Sequence, residues 1–136
     1  KMVAKTETKL WQLIKNNTPS IYWNRLENSV NAGMPDLIGS IPEHHFFTNE
    51  LKITYDNKTV KFSPHQIAWH NEKVNSGVKF ITISNASLSS IKLFDHSLAV
   101  SPRPLFVDHK PLYVIDDTKD SAQWKTLIDI IKLSTA

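Results

Sequence analysis

Apolar residues recur at Val3, Leu10, Leu13 and Ile14 with polar residues between them. That spacing predicts a helix over residues 3–16 with one buried side, ended by Thr18-Pro19-Ser20. Its Lys1, Lys5 and Lys9 lie four apart and form a basic stripe, read as a solvated face. β-prone stretches then predict strands near 21–27, 36–41 and 46–55. A tight turn at Asp56-Asn57-Lys58 leads into a short return strand from Thr59 to Phe62. Ser63 is a good N-cap and Pro64 suits the first helical position, so a second helix begins there, with Gly77 as its stop. Ile67, Val74 and either Trp69 or His70 supply its buried side. A strand over 78–83 follows.

Beyond that point the pattern weakens. Residues 90–94 fit a short strand or a helix, 101–104 a loop, and 105–107 and 112–115 strands. Asp117 or Thr118 caps a last helix through Leu133, with Trp124, Leu127, Ile128 and Ile131 on one side. The order αβββαβ, then a C-terminal strand and helix extension, describes an α/β sheet flanked by helices. At 136 residues the chain is expected to be one domain, with its core over about 21–84 and the extension over about 85–136.

Composition narrows the function classes modestly. Four tryptophans and a 40% apolar fraction predict a folded globule. A net charge of +3 and a pI near 9.1 suit a nucleic-acid partner. Sequestering three of the thirteen acids at a metal would leave the remaining surface more basic still. Cysteine is absent, so disulfides and thiolate zinc sites are excluded. No apolar run reaches the length of a membrane span, and the lysine-rich N-terminus lacks the apolar centre of a signal peptide. The expectation is a cytoplasmic protein with no membrane partner.

The chemistry concentrates in Gly33-Met34-Pro35-Asp36-Leu37-Ile38 and, fourteen residues after Asp36, Glu50-Leu51-Lys52. Glu50 and Lys52 sit two apart in a strand and share a face, with Leu51 on the other. If the two segments are neighbouring strands, Asp36 and Glu50 converge on a hard cation with an ammonium beside them. Mg²⁺ is held in this way, by one or two carboxylates completed by water and substrate phosphate. Metal-assisted phosphodiester hydrolysis uses such a layout. Each half alone also has an ordinary explanation, as a Pro-Asp turn or a solvated strand. Gln66 stands three residues after Ser63, where a capping box would place it, and that role can coexist with one in the site.

Gly-x-Pro-Asp-Leu, then Glu-x-Lys, then a helix opening with Ser-x-x-Gln-x-x-Trp and a Gly before a strand resembles the VRR-NUC domain. This virus-type replication-repair nuclease family belongs to the PD-(D/E)XK superfamily. The resemblance spans residues 25–83. It implies a restriction-endonuclease-like αβββαβ core with a mixed central sheet, and a Mg²⁺- or Mn²⁺-dependent endonuclease. Branched DNA such as Holliday junctions or flaps is the implied substrate and a homodimer the implied assembly, with a viral source in view. It further implies metal ligation by Asp36, Glu50 and the Leu51 carbonyl, with Lys52 catalytic and Gln66 supporting. An extra N-terminal acid often completes such sites; Glu27 is the candidate and Glu7, on the first helix, the alternative. Arg25, Lys58, Lys61 and His65 are the candidate phosphate contacts.

Two other classes stay open. One is a non-catalytic nucleic-acid-binding or assembly module on the same fold, and the other a site-specific restriction-type nuclease. The intact Asp-Glu-Lys set argues against the first. Of six histidines, adjacent His44 and His45 would point to opposite faces of a strand, and His65 and His70, five apart, make a poor helical ligand pair. With three glycines there is no phosphate-cradling loop, and no nucleophile elbow is visible.

Overall fold

The computed structural model describes residues 2–26, 33–101 and 105–136. Its elements are helix α1 (Met2–Asn17), strands β1 (Tyr22–Arg25), β2 (Leu37–Ser40) and β3 (Phe47–Thr54), and helix α2 (Pro64–Glu72). Strands β4 (Val78–Asn85) and β5 (Ile91–Asp95), the short helix α3 (Ser97–Val100), a 3₁₀ turn at Phe106–Asp108, β6 (Tyr113–Ile115) and helix α4 (Ser121–Ser134) follow. The first six run αβββαβ. All six strands form one mixed sheet in sequence order, antiparallel throughout except for the parallel pair β3–β4 that α2 connects.

Alternation along the strands sorts the side chains onto two faces. One face carries Phe47, Leu51, Phe80, Leu93 and Ile115, and packs against Leu10 and Ile14 of α1 and Trp124, Leu127, Ile128 and Ile131 of α4. An edge-to-face aromatic series, Trp11–Trp23–Phe47–Phe80, links α1 to three of the strands on this side. The other face carries Ile81, Ile83 and Phe94 under Leu98 and Ala99 of α3 and Phe106. Asp36, Glu50 and Lys52 belong to this second face, beside α2.

Several sequence expectations need correction. The segment 59–62 does not return along β3. Asp56 accepts hydrogen bonds from the Lys58 and Thr59 amides and the Thr59 hydroxyl, which turns the chain away, and Thr59 bridges to Leu105 instead. These bonds hold the exposed Asp56 carboxyl below the usual carboxylate range. The expected strand at 105–107 is the 3₁₀ turn at Phe106–Asp108. Of the two readings open for 90–94, the strand is the one found, at Ile91–Asp95. Asp120, not Asp117 or Thr118, caps α4 by accepting from the Ala122 amide. Helix α2 ends at Glu72 with Lys73 as its C-cap, four residues short of Gly77. Its buried residue is His70, while Ile67 and Val74 are exposed. No helix among the described residues is long and apolar enough to cross a membrane.

Gly33 and Gly77 both adopt positive φ, +89° and +67°. A Cβ on Gly33 would overlap the carbonyl oxygen of His65, so the turn before Asp36 packs backbone against backbone on the first turn of α2. A Cβ on Gly77 would meet nothing. Gly33→Ala is therefore expected to cost about 3 kcal/mol or more and Gly77→Ala about 1 kcal/mol, compared by urea unfolding. Equal costs would show that the Gly33 turn does not rest on α2.

Candidate functional site

The register of β2 against β3 pairs Leu37 with Asn49, so the next residue outward, Asp36, stands opposite Glu50. Opposed residues of an antiparallel pair share a face, and Lys52 joins them two residues along β3. Asp36 Oδ2 accepts the Leu51 amide at 2.7 Å, which anchors the carboxylate just where the β2–β3 ladder ends. A strand residue's N–H and C=O leave by the same edge, so the Leu51 carbonyl also faces the Asp36 side.

Glu50 is 1% exposed. Its two oxygens face two side chains one turn apart on α2. Gln66 Nε2 donates to Oε2 at 2.6 Å, while His70 Nε2 lies 3.6 Å from Oε1, beyond hydrogen-bond reach. Gln66 Oε1 accepts from Lys52 Nζ at 2.8 Å and also from the Ser63 amide at 2.9 Å. Ser63 Oγ in turn accepts the Gln66 amide, completing the capping box. One carboxamide thus serves the helix cap and spans Lys52 and Glu50 at once. The Lys52 ammonium also lies over the Phe62 ring at 5.0 Å and 3.9 Å from Glu50 Oε2.

Negative charge is undercompensated here. Burial, followed by the charge of Glu50, raises the Asp36 carboxyl to about 6. Burial raises Glu50 to about 7, with Glu7 adding to the rise while Lys52 and Gln66 oppose it. Glu7 itself is raised, first by burial and then by Asp36. Glu50 Oε1 and both ring nitrogens of His70 have no hydrogen-bond partner among the described residues. Burial, with the charges of Lys79 and Lys52, lowers His70 to about 4, so its imidazole is neutral, stacked on His96 at 5.5 Å.

Asp36, Glu50, Lys52 and Gln66 are therefore brought together. Glu27 lies outside the described residues. Glu7, the alternative, is close enough for its charge to act on Glu50 and to feel that of Asp36, yet no three His, Cys, Asp or Glu among the described residues are grouped to hold a metal. Two adjacent carboxylates, Glu50 buried with one unpartnered oxygen and Asp36 half-buried, still suit a hard cation that takes one or two carboxylates and completes its shell with water and phosphate. Arg25, Lys58, Lys61 and His65 are exposed. Arg25 Nη2 donates to Thr8 Oγ1 of α1 at 3.4 Å, and Lys61 lines a cleft with Glu7 and Lys52. Spacing from His65 alone does not place His70 beside the site. Its spacing of four from Gln66, one helical turn, is the signal that places it beside Glu50.

Comparison with models of known protein families and with curated proteins finds no match to this chain.

The raised carboxyls have a consequence for stability without metal. Groups whose folded pKa lies above the unfolded value stabilise fully at low pH, and that contribution is lost as pH rises through about 6 for Asp36 and 7 for Glu50. His70, depressed to about 4, acts oppositely: its contribution is present above the unfolded value of 6.5 and is lost as pH falls from there through 4. Between pH 6.5 and 8 the carboxylates alone dominate. Asp36→Asn keeps an acceptor for the Leu51 amide and removes the charge, so it should stabilise the metal-free protein by about 2 kcal/mol at pH 8 and little at pH 4. Thermal melts at the two pH values check this, and a destabilised variant at pH 8 would contradict it.

Proposed function

We propose that this protein is a Mg²⁺- or Mn²⁺-dependent DNA endonuclease on a PD-(D/E)XK-type core, acting on branched DNA. The observation that carries the reading is the pair of buried Glu50 and half-buried Asp36, opposed where β2 meets β3, with the Lys52 ammonium held at its side by Gln66. Burying two repelling carboxylates together works against folding, so a structural role gives no reason for the pair. The resemblance of the sequence motifs to the VRR-NUC domain points the same way, and the αβββαβ order accords with it.

Asp36, Glu50 and the Leu51 carbonyl would hold the cation. Bound there, Mg²⁺ or Mn²⁺ would acidify a water and neutralise charge on the phosphate and the leaving oxygen. Asp36 is fixed for ligation by the Leu51 amide, which occupies one of its oxygens and leaves the other available. Gln66 orients Glu50 through Oε2. Lys52 presents its ammonium to the attacking water or to a non-bridging phosphate oxygen, steadied by Gln66 Oε1 and the Phe62 ring. As the water oxygen bonds to phosphorus, the bond to the leaving oxygen breaks; the water proton passes to solvent and the leaving oxygen takes one up. His70 packs behind Glu50 as a neutral ring and adds no charge to it. Arg25, Lys58, Lys61 and His65 lie exposed for contact with phosphates flanking the cut. In a homodimer, two such sites related by a two-fold axis would suit paired nicks across a junction.

Labelled four-way junction, flap, single-stranded and linear duplex DNA incubated with Mg²⁺ or Mn²⁺ test the reading. The wild type should cut at branch points, and Asp36→Ala and Lys52→Ala should each lower the rate at least about a hundredfold. Mg²⁺ should also raise the melting temperature of the wild type and not that of Asp36→Asn. Discrete fragments from linear duplex would favour a restriction-type enzyme. No cutting of any substrate would favour a binding module.

A further inference from the structure

Beside the carboxylates, on the same face of the sheet, lies an apolar cavity of about 430 Å³ that hydrolysis itself does not require. Ile38 and Thr48 lie on its floor, Phe46 and Trp69 on its walls, and Lys73 and Lys79 with them. Ile38 follows Asp36 by two residues on β2, and Thr48 precedes Glu50 by two on β3. The floor is therefore one same-face step, about 7 Å, from the carboxylate pair.

The lining is selective in its chemistry. Phe46 is 72% exposed, a large ring left open on the surface, and Trp69 is only partly buried. No lining residue is acidic. The Lys79 ammonium donates to the carbonyls of Ser76 and Gly77, so among the described residues the cation left at the rim is the exposed Lys73. Thr48 Oγ1 has no hydrogen-bond partner among the described residues. Aromatic walls and an ammonium at the mouth match a nucleobase with its phosphate.

We propose that this cavity receives one unpaired nucleobase of the strand whose phosphate lies at Asp36 and Glu50. The base packs against Phe46 and Trp69, and Lys73 takes a neighbouring phosphate. The assignment of strand and direction rests on the nuclease reading. A continuous duplex keeps its bases stacked inside and can offer the cavity nothing, whereas a flap, loop or junction supplies a base at low cost. The cavity would thus select substrates with unpaired nucleotides next to the cut.

The test is binding rather than cleavage. A labelled single-stranded thymidine oligonucleotide and a labelled blunt duplex are titrated in Mg²⁺ with Lys52→Ala protein, which keeps both carboxylates, with and without Phe46→Ser or Trp69→Leu. Each added substitution should weaken single-strand binding about tenfold and duplex binding less than twofold. Phe46 is exposed, so Phe46→Ser carries the test even if Trp69→Leu fails to fold. Unchanged single-strand binding, or equal losses on both DNAs, would overturn the proposal. So would sedimentation showing that Phe46→Ser dissociates a dimer while single-strand binding per protomer is unchanged, which would make the cavity a self-interface. A wild type that cuts nothing, combined with selective single-strand loss in Phe46→Ser, would remove the nuclease reading and keep the base pocket. Cutting with unaltered single-strand binding in Phe46→Ser would remove the pocket alone.

Discussion

The pairing of Leu37 with Asn49 is the constraint from which the site follows. With a side-chain period of two, a slip of one residue between β2 and β3 would turn Asp36 away from Glu50 and bring Leu37 out of the core. The register is held from both sides. Leu37 and Phe47 are buried on the α1 and α4 face, and the Leu51 amide closes onto Asp36 at the other end of the pair. The same apolar packing that stabilises the sheet therefore sets the carboxylate geometry.

A second dependence runs through α2. Its N-terminus is fixed by a capping box, by Pro64 and by the Gly33 turn resting against His65. These fix where Gln66 and His70 arrive, one turn apart, on the two oxygens of Glu50. Gln66 is shared between cap and site, so helix initiation and orientation of Lys52 and Glu50 are coupled through one amide group. Losing it would relax both.

The site also carries a stability cost that a purely structural sheet would avoid. Asp36 and Glu50 are raised toward neutrality because burial disfavours their charged forms, helped by the charge of Glu50 at Asp36 and of Glu7 at Glu50. Such strain is common where chemistry is performed, and a cation would relieve it. The apolar cavity continuing from Ile38 and Thr48 extends the same face into a region of opposite character, without acids and walled by aromatic rings. A charged centre beside an apolar recess suits a ligand that is itself part phosphate and part base.

Much of this was legible in residue order. The helix of α1, the three strands after it, the Ser63 cap and the buried stripe of α4 follow from periodicity and capping chemistry, which are local. Asp36, Glu50 and Lys52 could be singled out because two-residue spacing assigns faces before any partner strand is known. Other features were not local. The segment after Asp56 looked like a return strand, but side-chain bonds to the Asp56 carboxyl redirected it toward Leu105. Ile67 and Val74 looked like the buried side of α2, yet the sheet beneath that helix offers a carboxylate, and His70 faces it. Spacing along a chain determines which side chains share a face. Which faces meet, and so which oxygens are left without partners and which cavities remain open, was decided only when α2 was laid across the sheet, because burial and electrostatic coupling depend on distances between residues far apart in sequence.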